Sequence, residues 1–101
     1  MHVIARPTII SYIQQYPETK QQLLAWLTEA EHARWTCPQD ITNRYRSADF
    51  PTDHHVIFDI KGTKYRLVVR IRYADLSSQG TIFIRWFGPH KEYDLLNVEN
   101  L

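Results

Sequence analysis

The 101 residues carry 12 Lys/Arg against 11 Asp/Glu, a net charge of +1 that excludes a protein held to nucleic acid by bulk charge alone. Hydrophobic residues make up 44% and charged residues 23%, which excludes a disordered chain, and the length fits one compact domain over residues 1–101. The lone cysteine, Cys37, excludes an internal disulfide and points to a cytoplasmic protein, and no apolar run is long enough to span a bilayer.

The charge is unevenly spread. Residues 1–60 hold five Lys/Arg against seven Asp/Glu, net −2, and residues 61–101 hold seven against four, net +3. Whatever meets an anion is expected in the last part of the chain.

In chain order, His2 to Ala5 reads as a short strand. Pro7 suits a first helical turn, where its missing N–H costs nothing, and Ile9, Ile10, Ile13 and Tyr16 follow at helical spacing until Pro17 stops the helix. Thr19 and Gln22 have the spacing of a capping box. Leu23, Trp26, Leu27 and Ala30 then form one apolar stripe ending near Trp35, which predicts a two-helix hairpin. Residues 38–54 read as a long polar connection with one helical turn near Asp40–Tyr45. Three strands follow: 56–60, 64–73 and 81–87, joined by turns at Lys61-Gly62-Thr63 and Ser77-Ser78-Gln79-Gly80. Gly88-Pro89 is expected to break the third strand, and His90 to Leu96 to form a short helix. The order predicts an α+β domain: a short N-terminal strand, a two-helix hairpin, then a three-stranded antiparallel meander with a short C-terminal helix.

The strand at 64–73 carries the strongest chemical signal. Side chains two apart share a face, so Tyr65, Leu67, Val69 and Ile71 face the helices. Lys64, Arg66, Arg70 and Arg72 line the other face, interrupted by Val68. Such a stripe attracts phosphates; a solvated sheet face has the same pattern. Arg85 joins that face if its strand pairs with 64–73. Directly after it come His90, Lys91, Glu92, Tyr93 and Asp94. RNA cleavage without a metal needs a base for the 2′-OH, cations for the developing phosphorane charge and an acid for the leaving 5′-oxygen. Histidine suits either proton transfer near neutral pH, and arginines supply the electrostatic part. His54 and His55 are adjacent, so a strand points them to opposite faces and they make a poor metal pair. His32 and Cys37 show no ligand spacing and read as structural.

Two blocks, Val56 to Val69 and Ile82 to Asp94, together with Trp35, the Pro38-x-Asp40 turn and the Phe50-Pro51 corner, give the chain a wider likeness. It resembles the HigB-type toxins of bacterial toxin–antitoxin modules, which have a RelE-like fold. Asp59 and Thr63 stand where that pattern has Asn, and Pro89 where it has Thr. The resemblance implies a ribosome-dependent mRNA endoribonuclease that leaves a 2′,3′-cyclic phosphate, with no metal and no cofactor. It implies catalytic roles for His90, Arg85, Arg66 and Tyr93: His90 as base or acid, the arginines on the scissile phosphate, Tyr93 bonding or stacking. Lys64, Arg70, Arg72 and Lys91 would bind RNA, and Asp94 would orient His90. The implied partners are mRNA on the ribosome and a HigA-type helix-turn-helix antitoxin, with no membrane. Two other readings stay open at this level: a ParE-like gyrase poison on the same fold, and a non-catalytic relic that binds antitoxin or RNA.

Overall fold

The computed structural model describes residues 1–101. Strand β1 (His2–Ile4) leads into helix α1 (Arg6–Gln15), and a 3₁₀ turn at Pro17–Thr19 leads into α2 (Lys20–His32). A short helix α3 (Pro38–Arg44) precedes four strands: β2 (Asp49–Thr52), β3 (His55–Ile60), β4 (Tyr65–Arg72) and β5 (Thr81–Pro89). Helix α4 (His90–Tyr93) and a last 3₁₀ turn at Val98–Asn100 complete the chain. The expected α+β order is therefore present, with a strand more in the meander than the sequence reading gave.

The strands form one five-stranded sheet in the order β1-β5-β4-β3-β2. All neighbours are antiparallel except β1, which lies parallel to β5 at Thr81–Phe83. Strand β2 is the added one. It is a four-residue edge strand containing Pro51, and an edge tolerates the donor that proline lacks. The 38–54 connection thus holds a helix, where one turn was expected, and a strand besides.

The helical stripe buries as its spacing demands. Leu23, Trp26, Leu27 and Ala30 are each no more than 2% exposed, and Ile9 joins them from α1. They pack on Val56, Phe58 and Ile60 of β3, Tyr65, Leu67, Val69 and Ile71 of β4, and Ile82, Ile84 and Phe87 of β5. One sheet face thus carries the core, and the opposite face is left for chemistry.

Two local expectations are corrected. Thr19 makes no side-chain cap on α2: the 3₁₀ turn runs straight into the helix, Thr19 keeps helical backbone angles, and its hydroxyl donates back to the Tyr16 carbonyl at 2.7 Å. Gly88-Pro89 does not end β5, which continues to Pro89 opposite Tyr65. Beyond Phe83 that strand has no β1 neighbour, so a proline at its last residue removes no donor the ladder needs.

Candidate functional site

The outer sheet face is organised in rows across β3, β4 and β5. One row is Asp59, Arg66 and Gly88; the next is Ile57, Val68 and Trp86; the third is His55, Arg70 and Phe83. Ile57 and Val68 are at most 1% exposed, so an apolar row separates the two polar ones. From Arg66 to Arg70 the strand advances about 13 Å, at roughly 3.3 Å per residue.

A β-bulge sets what this face presents. Val68 pairs with Trp86 but Val69 pairs with Ile84, which leaves Arg85 as the extra residue of β5. Ile84 and Phe87 both reach the core, so Arg85 and Trp86 in between both lie outward. Strict alternation would have buried one of them; bulges re-aim side chains in this way and are frequent beside active sites. Trp86 then folds over Gly88, where a Cβ would come within 2.8 Å of the indole. Only glycine leaves that space.

Tyr93 of α4 is the hub of the first row. The Arg66 guanidinium carbon stands 4.8 Å from the centre of its ring. The His90 ring centre lies 6.2 Å away, edge-on, and the Trp86 ring centre 6.3 Å away. Arg66 Nε faces Asp59 Oδ1 at 3.4 Å, with side-chain exposures of 19% and 12%. Neither of those two atoms makes a hydrogen bond, so the contact is an ion pair by distance alone.

His90 is held from three sides. Its backbone N–H donates to the Lys64 carbonyl at 3.0 Å, which ties α4 to the β3–β4 loop. Its Nδ1 lies 3.3 Å from the Thr63 carbonyl, and its Nε2 lies 3.6 Å from Asp94 Oδ1. A carbonyl can only accept, so Nδ1 carries the hydrogen in this contact. The neutral ring then keeps a bare Nε2, and the protonated ring has Asp94 beside it as counter-ion.

The remaining sequence-derived residues are placed as follows. Lys64 precedes β4 and does not extend the Arg66 row; its ammonium sits 5.7 Å from the Tyr65 ring centre. Tyr65 itself donates to the Glu18 carboxylate, which holds Glu18 below the usual range and pushes the phenol up to about 12. Arg85 is exposed, its guanidinium 5.9 Å from the centre of the Phe83 ring, so it leans toward the third row. Arg70 and Arg72 are exposed and line an open hollow with Asp53, His54, Tyr73 and Phe83. Lys91 is exposed on α4. The expected stripe of four cations is therefore split: Arg66 belongs with Tyr93 and His90, while Arg70, Arg72 and Arg85 form a second basic group.

His55 is buried at 3% exposure, and its Nδ1 shares a hydrogen bond with Thr52 Oγ1 at 2.7 Å. Burial first, then the nearby Arg70, His54 and Arg85, press its pKa below the ordinary histidine value; Glu99 acts in the opposite sense. His54 is exposed and lies in the turn before β3, so the expected parting of the pair across a strand does not apply to it. His32 Nδ1 bonds the Thr28 carbonyl at 2.8 Å, and Cys37 is exposed and free.

Sequence reasoning missed two residues here. Asp59 faces Arg66 across the β3–β4 hairpin, and the opposite charges flanking the Lys61-Gly62 turn were a usable signal. Trp86 needed the bulge, which alternation alone does not reveal.

The HigB_toxin family model, described as the RelE-like toxic component of a toxin–antitoxin system, matches residues 19–96. That stretch contains Asp59, Arg66, Arg85, His90, Tyr93 and Asp94. No curated protein matches the chain.

Proposed function

The chain belongs to the HigB family of RelE-like toxins, and from that membership we propose that it is an endoribonuclease that cuts mRNA on the ribosome. The observation that carries this reading is the convergence of one guanidinium and one imidazole around Tyr93, at 4.8 and 6.2 Å from its ring.

In the proposed reaction the RNA 2′-oxygen attacks the adjacent phosphorus and the P–O5′ bond breaks. The products are a 2′,3′-cyclic phosphate and a free 5′-hydroxyl. His90 Nε2 serves one of the two proton transfers, taking the 2′-OH proton or returning one to O5′, with water serving the other and Asp94 steadying the imidazolium. Such acid–base help is worth on the order of 10²–10⁴-fold. Arg66 presents its terminal nitrogens to the non-bridging phosphate oxygens, where charge grows in the transition state. Tyr93 backs the guanidinium with its ring and offers its hydroxyl to the RNA, and Trp86 offers a flat edge for a base. Arg85, Arg70, Arg72, Lys91 and Lys64 grip flanking phosphates or ribosomal RNA. These side chains, with water for the second proton transfer, supply what the proposed chemistry needs without a metal or another cofactor. A toxin of this family has a cognate antitoxin, and we propose a HigA-type helix-turn-helix protein for that role.

The test is end-mapping of cellular mRNA after brief induction. Cuts within translated frames that bear 2′,3′-cyclic phosphate ends support the reading. Intact mRNA with broken chromosomal DNA would instead indicate a gyrase poison. Cuts that bear 5′-phosphates would indicate water activated by a metal.

A further inference from the structure

Asp59 is the unexpected member of the outer-face site. A carboxylate on a surface that receives phosphate opposes the ligand by charge, yet Asp59 sits in the same row as Arg66, 12% exposed, with Oδ1 against Nε at 3.4 Å. A guanidinium has five N–H donors, one of them on Nε. Nε lies 3.4 Å from Asp59 Oδ1 as an ion pair without a hydrogen bond, and no hydrogen bond inside the protein occupies the terminal nitrogens. The guanidinium carbon meanwhile stands over the Tyr93 ring, 4.8 Å from its centre. Arg66 thus has a carboxylate beside Nε and an aromatic ring against its guanidinium, and its terminal nitrogens are free of protein partners.

We propose that Asp59 is a positioning residue, which fixes the Arg66 guanidinium by its Nε edge so that the terminal nitrogens meet the scissile phosphate. This rests on the RNA-cleaving reading above. Arginine side chains are long and carry much rotamer freedom, and a phosphate-binding arginine acts best when its fork is fixed before the transition state forms. The arrangement makes two opposite demands. The Asp59 charge weakens phosphate attraction in the ground state, while its contact with Nε speeds the chemical step. Removing it should therefore separate binding from rate, which loss of fold would not do.

The experiment uses the full chain and mRNA bound to ribosomes under single-turnover conditions. It reads the maximal rate and the half-saturating toxin concentration separately. Asp59→Ala should lower the maximal rate on the order of 10²-fold, as misplacement of a catalytic group does. Its half-saturating concentration should stay level or fall. Asp59→Asn keeps a polar group of the same shape beside Nε without the charge, and should recover the rate to within roughly tenfold of wild type, since a neutral oxygen attracts the guanidinium more weakly than a charged one. In an Arg66→Ala background, Asp59→Ala should change the rate no further. A wild-type rate for Asp59→Ala, or an equal proportional loss with and without Arg66, overturns the proposal. Should Asp59→Ala melt, hydrogen exchange at Arg66 Nε–H in the wild-type chain decides by NMR. Exchange slower than at Arg72 is expected, and equal exchange refutes the pairing. A wild-type chain that cuts no mRNA removes the parent reading instead, and the NMR result then stands apart from it.

Discussion

At the level of single residues, the outer face holds two separate basic groups, and under the proposed reaction that separation has measurable consequences. Arg66→Ala should reduce mRNA cleavage by roughly 10²–10³-fold, the usual cost of one lost donor to developing charge. His90→Ala should cost on the order of 10²–10⁴-fold. Arg85 leans on Phe83, away from Tyr93, so Arg85→Ala should act mainly on binding, by about tenfold for one charged hydrogen bond. A loss in maximal rate as large as that of Arg66→Ala would place Arg85 at the scissile phosphate after all. His55 gives a separate test. Its pKa is lowered in the fold, so the unfolded chain takes up a proton more readily as pH drops below the ordinary value of 6.5. Its contribution to stability is complete above that value and is lost as pH falls toward the folded-state pKa. Melting temperatures of wild type and His55→Gln, measured from pH 8 to pH 5, should converge toward the acid end; parallel curves would contradict the assignment. Arg66, Arg85 and His90 stand out in the sequence as charge on an alternating strand and a histidine after its neighbour, but their proposed roles, and that of Tyr93, come from the family resemblance. Asp59 was passed over because its meaning depends on a partner seven positions away across a hairpin.

Among the elements, those with a clean period were legible and those that break a period were not. The α2 stripe and the alternation of β4 each place their core residues without reference to the rest of the chain. Strand β2 was hidden because a short edge strand with Pro51 has no apolar alternation to show. The bulge at Arg85 was hidden because it is a relation between two strands, visible only in the shift of register from Val68–Trp86 to Val69–Ile84. It nevertheless is what lets both Arg85 and Trp86 lie on the outer face. The turn into β5 is the element most exposed to a single change. Gly80 has φ +80°, and a Cβ there would lie 2.6 Å from Met1 Cε and 2.7 Å from the Ala74 nitrogen. Gly80→Ala should therefore destabilise by about 1–3 kcal/mol, as left-handed strain with crowding does, read as a lower urea midpoint with unchanged slope. An unaltered midpoint would show that the β4–β5 connection adapts more freely than its packing indicates.

For the molecule as a whole, the sheet works as a partition. Helices α1 and α2 cover one face with the apolar half of each strand, and Arg66, Arg70, Arg72 and Arg85 lie on the other. This explains how a chain of net charge +1 can present a phosphate-seeking surface. Helix α4 completes that surface from the end of β5, tied by the His90 N–H to the Lys64 carbonyl at 3.0 Å. No helix is long and apolar enough to cross a membrane. Family membership implies an antitoxin, and co-expression of a HigA-type partner from the same operon should restore the growth that the chain alone arrests. The account as a whole stands on side chains around Tyr93 performing transesterification at one phosphate. The most direct measurement is the chemistry of the cut ends when purified chain meets ribosomes programmed with a defined mRNA. A 2′,3′-cyclic phosphate upstream and a 5′-hydroxyl downstream, both lost in His90→Ala, are the predicted result; 5′-phosphate ends, or ends unchanged in that variant, would contradict it.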